Sequence, residues 1–120
     1  MSEKYKCIAI DDDPLFLEIL KSYIKKVDII DLVATYNNPI DGAVGVTKHK
    51  PDFIFLDIEM PYMDGYETIA TLENKPKIII VSSHLEYETD ELKIDVSKFV
   101  RKPINGPDHL TQLVQEVMQG

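Results

Sequence analysis

PDFIFLDIEMPYMDG, residues Pro51 to Gly65, is the segment from which the architecture can be read. Phe53, Ile54, Phe55 and Leu56 form an apolar run with no alternation, as in a strand covered on both faces within a helix-flanked parallel sheet. The run stops at Asp57. Pro61 and the turn pair Asp64-Gly65 then take the chain away from the sheet. An aspartate where a buried strand meets solvent is poised for chemistry, if other groups converge on it.

The same rhythm continues outward in both directions. Upstream, Cys7 to Ile10, with a start as early as Tyr5, is a first strand ending in Asp11-Asp12-Asp13. Asp13 before Pro14 reads as a helix N-cap followed by proline at the first helical position. Leu17, Leu20, Ile24 and Val27 follow at helical spacing, widened by Phe16, Ile19 and Tyr23. Asp31 to Tyr36 is a second strand, poor in large apolar residues and so placed at an edge. Asn37-Asn38-Pro39 opens a second helix to about His49. Gly42 and Gly45 make it a weak helix former that depends on tertiary packing and is expected to be mobile.

Downstream, Tyr66 to about Leu72 reads as a third helix and Lys77 to Val81 as a fourth, two-sided apolar strand ending at Ser82-Ser83. A polar fourth helix is expected over about Leu85 to Ile94, with Leu85, Leu92 and Val96 marking its inner side. Lys98 to Arg101 is a fifth strand ending at Lys102-Pro103. The last helix, Asp108 to Met118, buries Leu110, Leu113, Val114 and Val117. Alternating strands and helices with right-handed crossovers give an α/β doubly wound parallel sheet of five strands, flavodoxin-like, in the order 2-1-3-4-5 with helices on both faces.

The bulk numbers agree with one domain over residues 1–120. The chain is 44% apolar and 28% charged, an ordinary globular balance. A net charge of −8 disfavours direct nucleic-acid contact by this surface, since phosphate binding needs a basic face. The single Cys7 lies in an apolar run and fits a reducing compartment as a small core residue. The N-terminus is too polar for a secretory signal and no run is long enough to cross a bilayer, so a cytoplasmic location away from membranes is expected.

Four apolar runs end in reactive side chains: Asp11 and Asp12, Asp57, Ser82, and Lys102. In a parallel sheet these ends share one edge, where ligands bind. Clustered carboxylates raise one another's pKa, and Lys102 offsets one charge. Hard oxygen donors in small number favour Mg²⁺, which often shares its shell with a phosphate. A metal, an ammonium and a hydroxyl would then each hold one oxygen of a transferring phosphoryl group. Asp57, alone on the central strand, is the candidate nucleophile.

Taken singly, these residues have plainer readings. Asp57 can cap a loop, Ser82 can be a satisfied hydroxyl, Lys102 a solvated lysine and Phe99 a core aromatic. Asp13 reads as a helix cap and Asp64-Gly65 as turn chemistry. His49 and His84 read as surface residues, and the acidic run from Glu86 to Glu91 as a solvated face. The functional reading rests on all four strand ends agreeing.

In that order and at those spacings, Asp11-Asp12, Asp57 with Met60-Pro61 and Asp64-Gly65, Ser82, and Lys102-Pro103 resemble the receiver domain of bacterial two-component response regulators. FLDIEMP and the DVSKF preceding Lys102 resemble receivers that carry a LytTR-type DNA-binding domain. The resemblance implies that Asp57 accepts a phosphoryl group from a sensor histidine kinase. It implies that Asp12, Asp57 and the Glu59 backbone carbonyl hold Mg²⁺, with Asp11 acting through water. Lys102 would pair with the phosphoryl group, Ser82 would swing toward it, and Phe99 would turn inward. The face formed by the fourth helix, fifth strand and last helix would then engage an output domain or partner, or a second copy on phosphorylation. A cis Lys102-Pro103 bond is also implied.

Serine stands at the switch position where threonine is commoner; it keeps the donor and loses a packing methyl. Glu59 and His84 match rate-tuning positions and are expected to set the phosphoryl lifetime. The competing reading is a Mg²⁺-dependent phosphohydrolase with an aspartyl-phosphate intermediate. Its acid would stand two residues past the nucleophile, where this chain has Glu59, and it needs extra segments for substrate. A flavin carrier is disfavoured by three aspartates where a phosphate would have to sit.

Overall fold

A computed structural model describes residues 4–58, 75–83 and 96–119 of the chain. In chain order these form β1 (Tyr5–Ile10), α1 (Pro14–Ile24), β2 (Ile30–Tyr36), α2 (Pro39–His49), β3 (Phe53–Leu56), β4 (Lys77–Ser82), β5 (Lys98–Arg101) and α3 (Pro107–Gln119). The strands make one parallel sheet in the order β2-β1-β3-β4-β5. The expected order is therefore present, with β2 at one edge. The helices expected over Tyr66 to Leu72 and Leu85 to Ile94 lie outside the described residues.

The bare apolar runs are explained by layers on both sides. Cys7, Ala9, Phe53, Phe55, Ile79 and Val81 project to one face, against Phe16 and Leu20 of α1 and Leu110, Leu113, Val114 and Val117 of α3. Ile8, Ile10, Ile54, Leu56, Ile78 and Ile80 project to the other, against Ala43 and Val46 of α2. Successive strand residues point to opposite faces, so a strand covered twice must be apolar at every position. Each fully buried large side chain contributes about 1.5–3 kcal/mol of transfer free energy. Phe53 and Phe55 add an edge-to-face contact, with ring centroids 5.3 Å apart.

Local chemistry fixes the helix starts. Asp13 caps α1 by accepting from the Leu15 N–H at 3.0 Å, with Pro14 at the first helical position. Asn38 does the same for α2, accepting from the Asp41 N–H at 2.8 Å ahead of Pro39. α1 ends at Ile24, earlier than the apolar spacing suggests. Lys26 and Val27 donate to Tyr23 and Ile24, three residues back, which tightens the chain into a turn while leaving Val27 buried. The register of β1 with β2 slips between Cys7 and Ile8, leaving Val33 without an opposite residue.

Candidate functional site

Three backbone hydrogen bonds extend the parallel ladder past the strand ends and hold the site residues in place. The Asp11 N–H donates to the Tyr36 carbonyl at 2.9 Å, the Asp57 N–H to the Ile10 carbonyl at 3.0 Å, and the Lys102 N–H to the Ser82 carbonyl at 2.9 Å. Each residue therefore leaves the sheet from a fixed point on the same carboxyl edge. One carboxylate oxygen from each of Asp11, Asp12 and Asp57 lies within 4.8 Å of the other two. Asp11 and Asp57 are buried, whereas Asp12 is exposed.

Lys102 reaches into this cluster. Its Nζ is 2.8 Å from Asp11 Oδ2 and 3.8 Å from Asp13 Oδ2, and its side chain is 13% exposed. Asp11 Oδ1 accepts from the Asp13 N–H at 2.8 Å. Asp11 Oδ2 is buried and meets the Lys102 ammonium as an ion pair, with no further hydrogen-bond donor among the described residues. Burial pushes the Asp11 carboxyl above its ordinary pKa. The Lys102 ammonium and the Asp13 N–H oppose that shift, and the Asp13 charge adds to it.

This donor set fits a hard divalent cation. Three carboxylates so close together repel, and a buried oxygen with an unused lone pair is costly. Oxygen ligands in small number suit Mg²⁺. Beside the cluster, a cleft of about 520 Å³ opens between the starts of α1 and α2, lined by Asp11, Asp12, Pro14, Thr35, Tyr36 and Asp41 among others.

Ser82 closes β4 fully buried, opposite Arg101 of β5. Phe99 lies lower on β5, opposite Ile80, and is 44% exposed. Lys102-Pro103 is a cis peptide. Glu59 and His84 lie outside the described residues. Sequence reasoning missed Phe16 and a second role for Asp13. The Lys102 ammonium sits 4.6 Å from the centroid of the Phe16 ring, and the Asp13 cap is also the second carboxylate beside that ammonium. Their closeness in the chain was visible, but nothing local to α1 pointed to Lys102, which the fold brings to both.

An open parallel sheet of this order, with acids and a lysine gathered at its carboxyl edge, defines the signal-receiver class of the flavodoxin-like folds. Residues 7–115 match the family model of the response regulator receiver domain, and the chain belongs to that family. It is 31% identical over 102 residues to the transcriptional regulatory protein BtsR of Escherichia coli (strain K12), covering 83% of this chain and 43% of that protein. It is 30% identical over 113 residues to an uncharacterized response regulatory protein of Shewanella oneidensis, covering 92% of this chain and 48% of that one. The chain thus spans less than half the length of these relatives.

Among solved structures, the receiver domain of the putative response regulator NarL from Mycobacterium tuberculosis has the same fold. Its TM-score is 0.83 at 22% identity, covering 98% of both chains. A chain in the complex of the CheA3 P1 domain with CheY6 from R. sphaeroides gives a TM-score of 0.77 at 28% identity, covering 99% of this chain and 100% of that one.

Proposed function

We propose that this domain is a phospho-accepting switch in which Asp57 takes a phosphoryl group from the phosphohistidine of a sensor kinase. The supporting observation is the meeting of Asp11, Asp12 and Asp57 within 4.8 Å, with Lys102 Nζ 2.8 Å from Asp11. An Asp57 carboxylate oxygen bonds to phosphorus as the phosphorus–nitrogen bond breaks, and the histidine nitrogen keeps the electron pair. Asp12, Asp57 and the Glu59 carbonyl would hold Mg²⁺, with Asp11 acting through water; the ion supplies neutralisation of the developing phosphoryl charge.

Lys102 exchanges its contact with Asp11 for a phosphoryl oxygen. The Ser82 hydroxyl donates to a second oxygen, and Phe99 turns from its exposed position into the space Ser82 leaves. β5, α3 and the segment before β5 then present an altered face to an output domain or partner, or to a second copy. Glu59 and His84 tune the lifetime of the acyl phosphate. The likeness to a transcriptional regulatory protein supports a transcriptional output, with DNA contact made outside this acidic domain. The likeness to a chain crystallised in a CheA3–CheY6 complex supports a kinase-side phosphodonor. In this reading the domain is cytoplasmic, folds as one unit over residues 1–120, and turns over no separate substrate.

The test is incubation with Mg²⁺ and acetyl phosphate, read by intact mass. One acid-stable, base-labile phosphoryl adduct that Asp57→Asn abolishes is expected. Rapid turnover of many phosphate esters without an adduct would favour the phosphohydrolase instead.

A further inference from the structure

The first turn of α1 does more than start a helix. Asp13 is its N-cap and Phe16 stands three residues on, and both reach the Lys102 ammonium. Between them they flank Lys102: Asp13 Oδ2 lies 3.8 Å from the ammonium, and the Phe16 ring centroid 4.6 Å. Asp11 Oδ2, at 2.8 Å, supplies a third contact. The ring is itself fixed. Phe16 is 7% exposed and packs in the same core as Leu20, one turn further along α1.

An ammonium removed from water needs compensation on every side. Two of these contacts are carboxylates, which hold the charge where it is. The third is the face of an aromatic ring, whose negative quadrupole attracts a cation without a fixed hydrogen-bond direction. When Lys102 turns from Asp11 to a phosphoryl oxygen, the Asp11 contact would be lost while the ring, held in the core, would stay within reach. With the Asp11 contact gone, the ring face carries a larger share of the compensation and so favours the phosphoryl-facing position of the ammonium. An aliphatic side chain of similar size would fill the space and leave the cation drawn toward carboxylates or solvent.

We propose that Phe16 is a positioning residue for Lys102, holding its ammonium by a cation–π contact at the level where it meets a phosphoryl oxygen. This rests on the receiver reading above and names a residue of that site which acts through the lysine.

The test compares the wild type with Phe16→Leu and with proteins carrying a ring at residue 16 that bears one, two or three fluorines. Fluorination keeps the ring's shape and burial while draining negative charge from its face. Two quantities are read. One is the chemical shift of the Lys102 Hε protons without metal, which a ring beneath them moves upfield. The other is the affinity for beryllofluoride in the presence of Mg²⁺, the ion mimicking the phosphoryl group on Asp57.

The expected result is loss of the upfield shift in Phe16→Leu, with beryllofluoride affinity reduced about three- to tenfold. Affinity should also fall stepwise with fluorine number at unchanged thermal stability. If wild type binds beryllofluoride and all the fluorinated proteins bind equally well, Phe16 is packing alone and the inference is overturned while the receiver reading stands. If wild type binds none, the receiver reading fails and the inference with it.

Discussion

Gly42 of α2 lies flat against Ile10 at the end of β1, so close that a methyl group on Gly42 would stand 2.4 Å from Ile10 Cδ1 and 2.7 Å from Cγ1. Gly45 relates to Tyr36 in the same way, with a built methyl 2.3 Å from the ring. The glycines bring α2 down onto the sheet beside the ladder bonds of Ile10 and Tyr36 that fix Asp57 and Asp11.

In an exposed helix, glycine to alanine stabilises by about 1 kcal/mol. Here the sign should reverse. Gly42→Ala is expected to destabilise by about 1–3 kcal/mol through overpacking, measured by urea unfolding. Ile10→Val removes Cδ1, one of the clashing atoms, and should restore part of that loss in the double variant. Additive losses would show that Gly42 is not held by Ile10.

Asp11 carries a pH signature. Burial raises its carboxyl above the ordinary 3.8, so within the window above that value the folded chain holds a proton that the unfolded chain has released. The stability contributed by that proton is present at low pH and is lost as pH rises through the raised value. Asp11→Asn removes the buried charge and keeps an acceptor for the Asp13 N–H. In EDTA the variant should melt higher than wild type at pH 7, with the gap closing as pH falls toward 4. A variant less stable than wild type at pH 7 would mean that the Lys102 pairing outweighs burial.

The repelling carboxylates also make a thermal-shift prediction. Mg²⁺ at about a hundred times its dissociation constant should stabilise wild type by about 2.7 kcal/mol, reversibly with EDTA. Asp57→Asn and Asp12→Asn should each lose most of that gain. An undiminished gain in both variants would place the ion elsewhere.

Legibility in the sequence followed how local the physics was. Leu110, Leu113, Val114 and Val117 of α3 are the buried set its spacing predicts, because an isolated apolar stripe has one way to face the core. β3 and β5 match the expected bounds, since turn residues punctuate both. α1 was less legible. Its buried residues are Phe16 and Leu20, while Leu17 and Ile24 are partly covered and Ile19 is 37% exposed. The helix is rotated so that Asp13 and Phe16 meet Lys102, a residue 86 positions from Phe16 in the chain that no local pattern could reveal. The glycines of α2 read as weak helix formers for the same reason, because Ile10 and Tyr36 reach them across the fold. At the site, the strand ends named Asp11, Asp12, Asp57, Ser82 and Lys102, since parallel strands must end together; Phe16 required the packed structure.

Cys7 offers a last check on the sheet. It is fully buried in β1, opposite Leu32 of β2 and Phe53 of β3. Burial raises its thiol strongly, and the charges of Asp31 and Asp52 raise it further. The thiolate is the reactive form, so native protein should resist iodoacetamide at pH 8, where a free cysteine would be appreciably ionised. Labelling should then proceed through unfolding and track its extent across a urea titration followed by mass. Destabilised Gly42→Ala should label faster in buffer, in proportion to its larger unfolded fraction. Rapid labelling of wild type without urea would mean that β2 separates readily from β1 and that β1 is not a closed interior strand.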